Sequence, residues 1–317
     1  MDAVPLKFVD SVVELFGKET LDELAREVRH LLWKPVVDFH HRNRVYYKVR
    51  YREVEGGIKH VFATLEDVHL GRPVSMRTIR EKGRFARIVG VDDLTANIRL
   101  SYFDGVEPLG EAETTKLLET VAPLIDSVSG YFYSYCTRVL LTSLFRRAYF
   151  QKINVKYCGQ IAYDFLEDQI NNSPFLTKLE MVGSNWPKSF LGLITNFCLT
   201  GRPGKLVSVL FSYESGTLID SNFIQNLLDL WRTKGNLHFR IHSVGDTVSE
   251  EGFRALMNQG QVVKRSEYIQ HSFFTHRTEK SVAVLSTSTC LMECLTCECD
   301  RFEKCLLKEE FPNYHDF

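Results

Sequence analysis

The chain has 317 residues, 44% apolar and 25% charged, which is enough to bury a large core in more than one packed region. Its 39 lysines and arginines offset 40 acidic residues to a formal charge of -1, so no global pull toward nucleic acid or anionic membrane exists and neither is expected as a partner. No run approaches the ~20 apolar residues of a bilayer span, and Asp2, Lys7 and Asp10 interrupt the opening MDAVPLKFVD where a secretory signal keeps an apolar core; a cytoplasmic or nuclear location with eight reduced cysteines is the expectation.

Three helical segments open the chain: LKFVDSVVELF, ETLDELAREV and LLWKPVVDFHHRN. In the first, Phe8, Val9, Val12, Val13 and Phe16 recur three and four apart, and Leu15 widens the stripe. Thr20 and Glu23 are spaced as a capping box, with Gly17 as a stop for the first helix. So small a trio buries little alone and needs another surface, either the rest of the chain, which it would cap, or a partner protein.

Residues 1–44 resemble an F-box. Val4-Pro5 followed by Phe8, Val12 and Leu15 is similar to that family's LPxxLxxxIxxxL opening, and LAREVRHLLWKPVVD, starting at Leu24 and carrying Trp33, is similar to its close. Val4 stands where leucine is usual, and the loop between the first two helices is short and charged. The resemblance implies that Val4, Pro5, Phe8, Val12, Leu15, Leu24 and Trp33 contact a Skp-type adaptor of a cullin-based ubiquitin ligase, while a C-terminal repeat domain holds a target protein. The whole chain resembles nematode-type families that pair a degenerate F-box with such a tail.

Residues 45–108 read as a small antiparallel β region linking the two parts. VYYKVRYREVEGGIKHVFATLED alternates around Gly56-Gly57, a hairpin signal, and FARIVGV and NIRLSYF add strands. The run RTIREKGRFAR, with five basic residues and one acid, is expected to be a solvated face.

Over 109–260 an LxxLxLxxC-like pattern recurs at irregular spacing. Its positions are Val128, Tyr131, Tyr133, Cys136; Phe150, Ile153, Val155, Cys158; Leu176, Leu179, Met181, Ser184; Leu206, Val209, Phe211, Glu214; and Asn236, Phe239, Ile241, Val244. Helical segments alternate with these strands: EAETTKLLETVAPLI, TRVLLTSLFRRA, QIAYDFLEDQI, KSFLGLITNF, DSNFIQNLLDLW and EEGFRALMNQ, with Asp220 or Ser221 capping the fifth and Thr247 with Glu250 the last. Strand and helix units that cannot bury their apolar faces singly stack side by side. The region resembles leucine-rich repeats of the cysteine-bearing class, which implies a solenoid of parallel strands and outer helices, Tyr131, Ile153, Leu179 and Val209 on neighbouring rungs, and Cys136 and Cys158 as small buried wedges.

Residues 261–317 form a C-terminal cap and cysteine-rich tail. HSFFTH and SVAVLS flank HRTEK as a hairpin closing the last repeat, and Cys290, Cys294, Cys297, Cys299 and Cys305 crowd together ahead of His315. One CxxC overlaps a CxC and no second well-spaced pair follows, so a zinc knuckle is set against apolar packing along a helix, and packing without metal is the expectation. There is no GxGxxG or P-loop after a strand, and no GxSxG, HExxH or kinase set; neither cofactor nor catalysis is expected. The class is thus α/β, α+β overall: an F-box-like helical segment, a β region and a leucine-rich-repeat-like solenoid, serving as a substrate-recruiting adaptor or as a protein-interaction scaffold with no ligase attached.

Overall fold

Helical periodicity becomes helix at the start of the chain: α1 is Leu6–Glu14, α2 Lys18–Glu27 and α3 Trp33–Asn43. The computed structural model describes residues 5–66, 74–96, 101–135, 137–183, 185–212, 219–244 and 250–315, arranged as two units, Met1–Leu176 and Thr177–Phe317. Gly17 proves to be the N-cap of α2 rather than a stop for α1, which places Thr20 inside the helix, so the expected Thr20–Glu23 box does not form.

In the first unit β1 (Val45–Val54) and β2 (Gly57–Thr64) make the expected hairpin, Gly56 and Gly57 taking φ of 92° and 146° that only glycine adopts without strain. β3 (Ala86–Asp93) pairs with β1 in parallel, not antiparallel, and then with β4 (Tyr131–Ser134), which pairs with β5 (Lys152–Lys156), so the strands of the expected linker are continuous with those of the repeats. Nothing local announces the β1–β3 pairing, because about forty residues separate partners such as Val49 and Val91. The proposed strand NIRLSYF is not one where it is described: Ser101–Phe103 is a 3-10 turn, and 97–100 lie outside the described residues.

The register sorts side chains into two faces. Val49, Val91, Phe132 and Ile153 lie opposite one another and are buried. Phe132 stacks on Phe150 and reaches Phe165 of α7 (Gln160–Asn172), each with centroids 5.1 Å apart, so the helices cover this face. One residue along, Arg50, Asp92, Tyr133 and Asn154 form a row on the other face, and the Tyr131 ring packs against Gly90, where any Cβ would fall 2.6 Å from it. The first repeat is therefore one residue out of the expected phase: Phe132 and not Tyr131 stands beside Ile153. YFYS is aromatic at three successive positions, so alternation does not reveal which are inside. Cys158 is half-buried rather than a buried wedge, and Cys136 lies outside the described residues.

The helices between strands are α4 (Met76–Glu81), α5 (Glu111–Val121), α6 (Arg138–Leu144) and α7. α7 is tied to the strand layer by polar bonds: Gln169 donates to the Ala148 carbonyl at 2.7 Å and accepts from Phe150 N–H at 3.2 Å, and Ser173 donates to the Phe150 carbonyl at 3.0 Å.

The second unit repeats the scheme with β6 (Lys178–Val182), α8 (Phe190–Cys198), β7 (Val207–Phe211), α9 (Ser221–Lys234) and β8 (Phe239–Ser243), all three strands parallel. Leu179, Val209 and Ile241 share a buried row; Val209 faces Ile241, two residues beyond the expected Phe239. Asp220 caps α9 as expected, accepting from Phe223 N–H at 2.7 Å, and Gly235 ends it at φ 69°. Thr247 of the last expected cap lies outside the described residues.

After α10 (Glu250–Met257) the chain turns antiparallel through β9 (Gln261–Lys264), β10 (Gln270–Thr275) and β11 (Ser281–Ser286) to β12 (Cys290–Thr296). The β10–β11 hairpin is as expected. β12 corrects a second expectation: the first half of the cysteine-rich tail is strand, not helix, and it pairs with β8 on one side and β11 on the other. Its interior position buries residues on both faces, so CLMECLT shows no alternation.

Candidate protein-docking surface

The first three helices have one small core of their own. Val9 and Val13 of α1, Leu21 of α2, and Val36 and Val37 of α3 are buried together, with Phe16, Leu24, Leu32 and Trp33 packed partly against them. Spacing of four puts Val9 and Val13 on one stripe of α1, whereas Phe8, Val12 and Leu15, spaced four and three, make the adjoining stripe. That second stripe faces outward: Phe8 is 56% and Leu15 72% exposed, and Val12 is half-buried.

Leu6, Leu31 and Phe39 are exposed as well, Leu31 almost completely. Leu6, Pro35, Val36 and Phe39 line an apolar groove of 470 Å³ with Asp10 and Arg84 at its polar side. Large apolar side chains gathered in this way on a small bundle mark an interaction surface more often than a solvated one.

The bundle is held firmly enough to present that surface. Arg44, buried just beyond α3, donates to the carbonyls of Val13 (2.7 Å), Glu14 (2.8 Å) and Phe16, satisfying acceptors that the end of α1 leaves open. Asp10 accepts from Arg84 Nη1 and Nη2 at 2.6 and 3.1 Å and bonds the Nε2 of buried His40 at 2.8 Å. Gly17 sits against Val128, where a Cβ would come within 3.0 Å of a methyl group.

Hydrogen bonding by Arg84, then by His40, holds the Asp10 carboxyl down at about 2. A depressed folded-state pKa means the linked stability is complete above the ordinary carboxylate range near 4 and is lost as pH falls through about 2. Urea unfolding of α1–α3, followed by helical circular dichroism, is expected to weaken over that acid window. Asp10→Asn is expected to be less stable at pH 7 and flatter in its response; an unchanged acid limb in that variant would show that the Asp10 pairs do not matter to the bundle.

Of the residues picked out by sequence, Phe8, Val12 and Leu15 form one outward stripe, Pro5 is the exposed N-cap of α1, and Leu24 and Trp33 are partly engaged with the small core. Val4 lies outside the described residues. The sequence does not single out Leu6, Leu31 and Phe39, because they stand in helical segments among other apolar residues and the local pattern does not say which of these face the core.

The thiols of the second unit divide into two groups. Cys198 and Cys294 are wholly buried, and burial pushes both far up; burial, aided by Glu293, raises Cys290 to about 12. None of the three is a thiolate nucleophile at neutral pH. Cys297, Cys299 and Cys305 instead converge with His315 at the C-terminal side of the second unit. Among the described residues no helix is long and apolar enough to cross a membrane. No family model matches the chain, and searches of curated proteins and of solved structures found no match either.

Proposed function

We propose that the chain is a non-enzymatic adaptor whose first three helices dock a Skp-type protein of a cullin-based ubiquitin ligase and whose strand-and-helix units recruit a target protein. The observation that carries this reading is the second apolar stripe of α1: Phe8 and Leu15 stay exposed while Val9 and Val13 already fill the bundle core. The F-box resemblance supplies the occupant, because its opening motif coincides with that stripe.

The leucine-rich-repeat reading of the remainder is supported by parallel strands whose helices cover one face. In the first unit the other face carries the row Arg50, Asp92, Tyr133 and Asn154, with Lys48 over the Tyr131 ring and Lys156 over the Tyr135 ring. A sheet face of aromatic and charged groups is suited to grip a protein surface.

A second reading, a scaffold with α1–α3 serving only as a cap, is favoured by the ties from α1 and the start of α2 to the rest of the unit: Arg84 to Asp10, Arg87 to Glu14, and Gly17 against Val128. Co-expression with a Skp-type adaptor separates the two. A stable complex is expected on gel filtration, and Phe8→Asp with Leu15→Asp is expected to weaken it at least ~100-fold, since an unpaired carboxylate buried in an apolar interface costs about 3 kcal/mol. Both side chains are exposed, so circular dichroism is expected to be unaltered. Absence of any complex with the unmodified chain would leave the cap reading standing.

A further inference from the structure

Three thiols and an imidazole meet in the second unit from separated stretches of chain. Cys297 and Cys299 follow β12 directly, Cys305 is the N-cap of α11 (Leu306–Glu310), and His315 lies beyond the 3-10 turn Pro312–Tyr314. Their donor atoms all lie within 4.8 Å of one another; the Nε2 of His315 is 3.3 Å from Cys297 Sγ and 3.2 Å from Cys299 Sγ. We infer that Cys297, Cys299, Cys305 and His315 hold one zinc ion in a tetrahedral, structural site.

Geometry is the first argument. Bonds of about 2.3 Å to sulfur and about 2.0 Å to nitrogen place the corners of a zinc tetrahedron roughly 3.5 to 3.8 Å apart, so four donors within this radius need only small rotations to enclose the ion. Donor chemistry is the second: three thiolates and an imidazole select zinc over calcium or magnesium, which take oxygen. Four protein donors close the coordination sphere, leaving no position for water or substrate, so the role is structural.

The surroundings fit that role. Backbone N–H of Glu298 points at Cys305 Sγ from 3.3 Å, a bond of the kind that orients a ligating thiolate. Cys305, Leu307 and Phe311 pack on Phe273, Val282, Val284 and Leu295, and the Tyr314 ring stacks on Phe273 at 3.9 Å. α11 has five residues, too few to persist without tertiary support. A metal joining the end of β12 to both ends of this segment pins it over the strands. The spacing, C-x-C-x5-C-x9-H, hides the site in the sequence because the visible CxxC pairs Cys297 with Cys294, which is buried in β12 and is not among the four.

The test is metal analysis of the full chain, expressed in zinc-supplemented medium and purified without chelator, followed by exchange with cobalt(II). About one zinc per chain is expected, together with the thiolate-to-cobalt charge-transfer band and intense visible d–d absorption of a tetrahedral sulfur-rich site. Cys299→Ser and His315→Ala are expected to lose the metal and to free the segment after Thr296 for limited proteolysis, whereas Cys290→Ser, outside the cluster, is expected to keep it. Unmodified protein that carries no zinc and gives no tetrahedral cobalt spectrum, or that shows Cys297 and Cys299 joined as a disulfide, would overturn the inference whether or not the variants fold. The site is independent of the proposed docking by α1–α3, and its failure would leave that reading untouched.

Discussion

Trp231→Ala is expected to destabilise the second unit by about 4 kcal/mol, the usual cost of removing a buried aromatic side chain and leaving a cavity. Trp231 is 1% exposed, and its Nε1–H donates to Ser281 Oγ at 2.8 Å. Ser281 in turn donates to the Leu295 carbonyl at 3.2 Å, and Thr296 Oγ1 reaches both Ser281 Oγ and the Leu237 carbonyl. One ring therefore anchors α9 to β11 and, through Ser281, to β12. Trp231→Phe keeps most of the packing and drops the bond, for an expected loss of about 1 kcal/mol. Urea denaturation of the full chain followed by far-ultraviolet circular dichroism measures both. If the phenylalanine variant were as damaged as the alanine one, the hydrogen-bond chain would matter more than the volume.

The second large effect is expected at Asp93, a fully buried carboxylate at the end of β3. It accepts from Thr95 N–H (3.1 Å), Thr95 Oγ1–H (2.6 Å), Tyr135 N–H (3.0 Å) and Thr137 N–H (2.9 Å). The last two belong to the turn after β4, so a single side chain closes the ends of neighbouring strands. Asp93→Ala leaves the Thr137 N–H buried without its acceptor and strips the part-buried N–H groups of Thr95 and Tyr135 of theirs, at an expected cost of about 3 kcal/mol, because an abandoned buried donor loses its solvation as well as its bond. Asp93→Asn keeps one acceptor oxygen and is expected to lose less. Amide hydrogen exchange at Tyr135 and Thr137 provides a local readout: slow in the parent and fast in the alanine variant. Slow exchange in both would mean that other groups satisfy this turn.

Element types were legible wherever apolar residues alternate with polar ones. KINVK, KLEMV and VSVLF read as strands because Ile153 with Val155, Leu179 with Met181, and Val209 with Phe211 recur two apart, and all six are buried. FIQNLLDLW read as helix for the matching reason, and each of its apolar residues except Leu230 is buried. Local pattern failed where it was uniform. YFYS concealed its phase, and CLMECLT, inside the sheet of its unit, has no polar face to reveal that it is a strand. The candidate docking surface was half visible: Phe8, Val12 and Leu15 lie on a helical stripe, but a stripe broad enough to include Val9 and Val13 does not say which half faces the core.

Sequence alone decided most of the helices and strands, since periods of 3.6 and 2 are properties of short stretches of chain, but not β12 or the 3-10 turn Ser101–Phe103, where no such period marks the element. It also decided the hairpin at Gly56-Gly57 and the cap at Asp220, where one or two side chains suffice. Tertiary structure decided the neighbours: β3 beside β1, β12 between β8 and β11, and Cys297 and Cys299 beside Cys305 and His315. The β1–β3 and β8–β12 pairings join residues far apart in the chain, and the three cysteines and His315, though nearer in sequence, meet only because the segment from Cys297 to His315 folds back on itself; both are selected by the burial and hydrogen bonding of the folded whole.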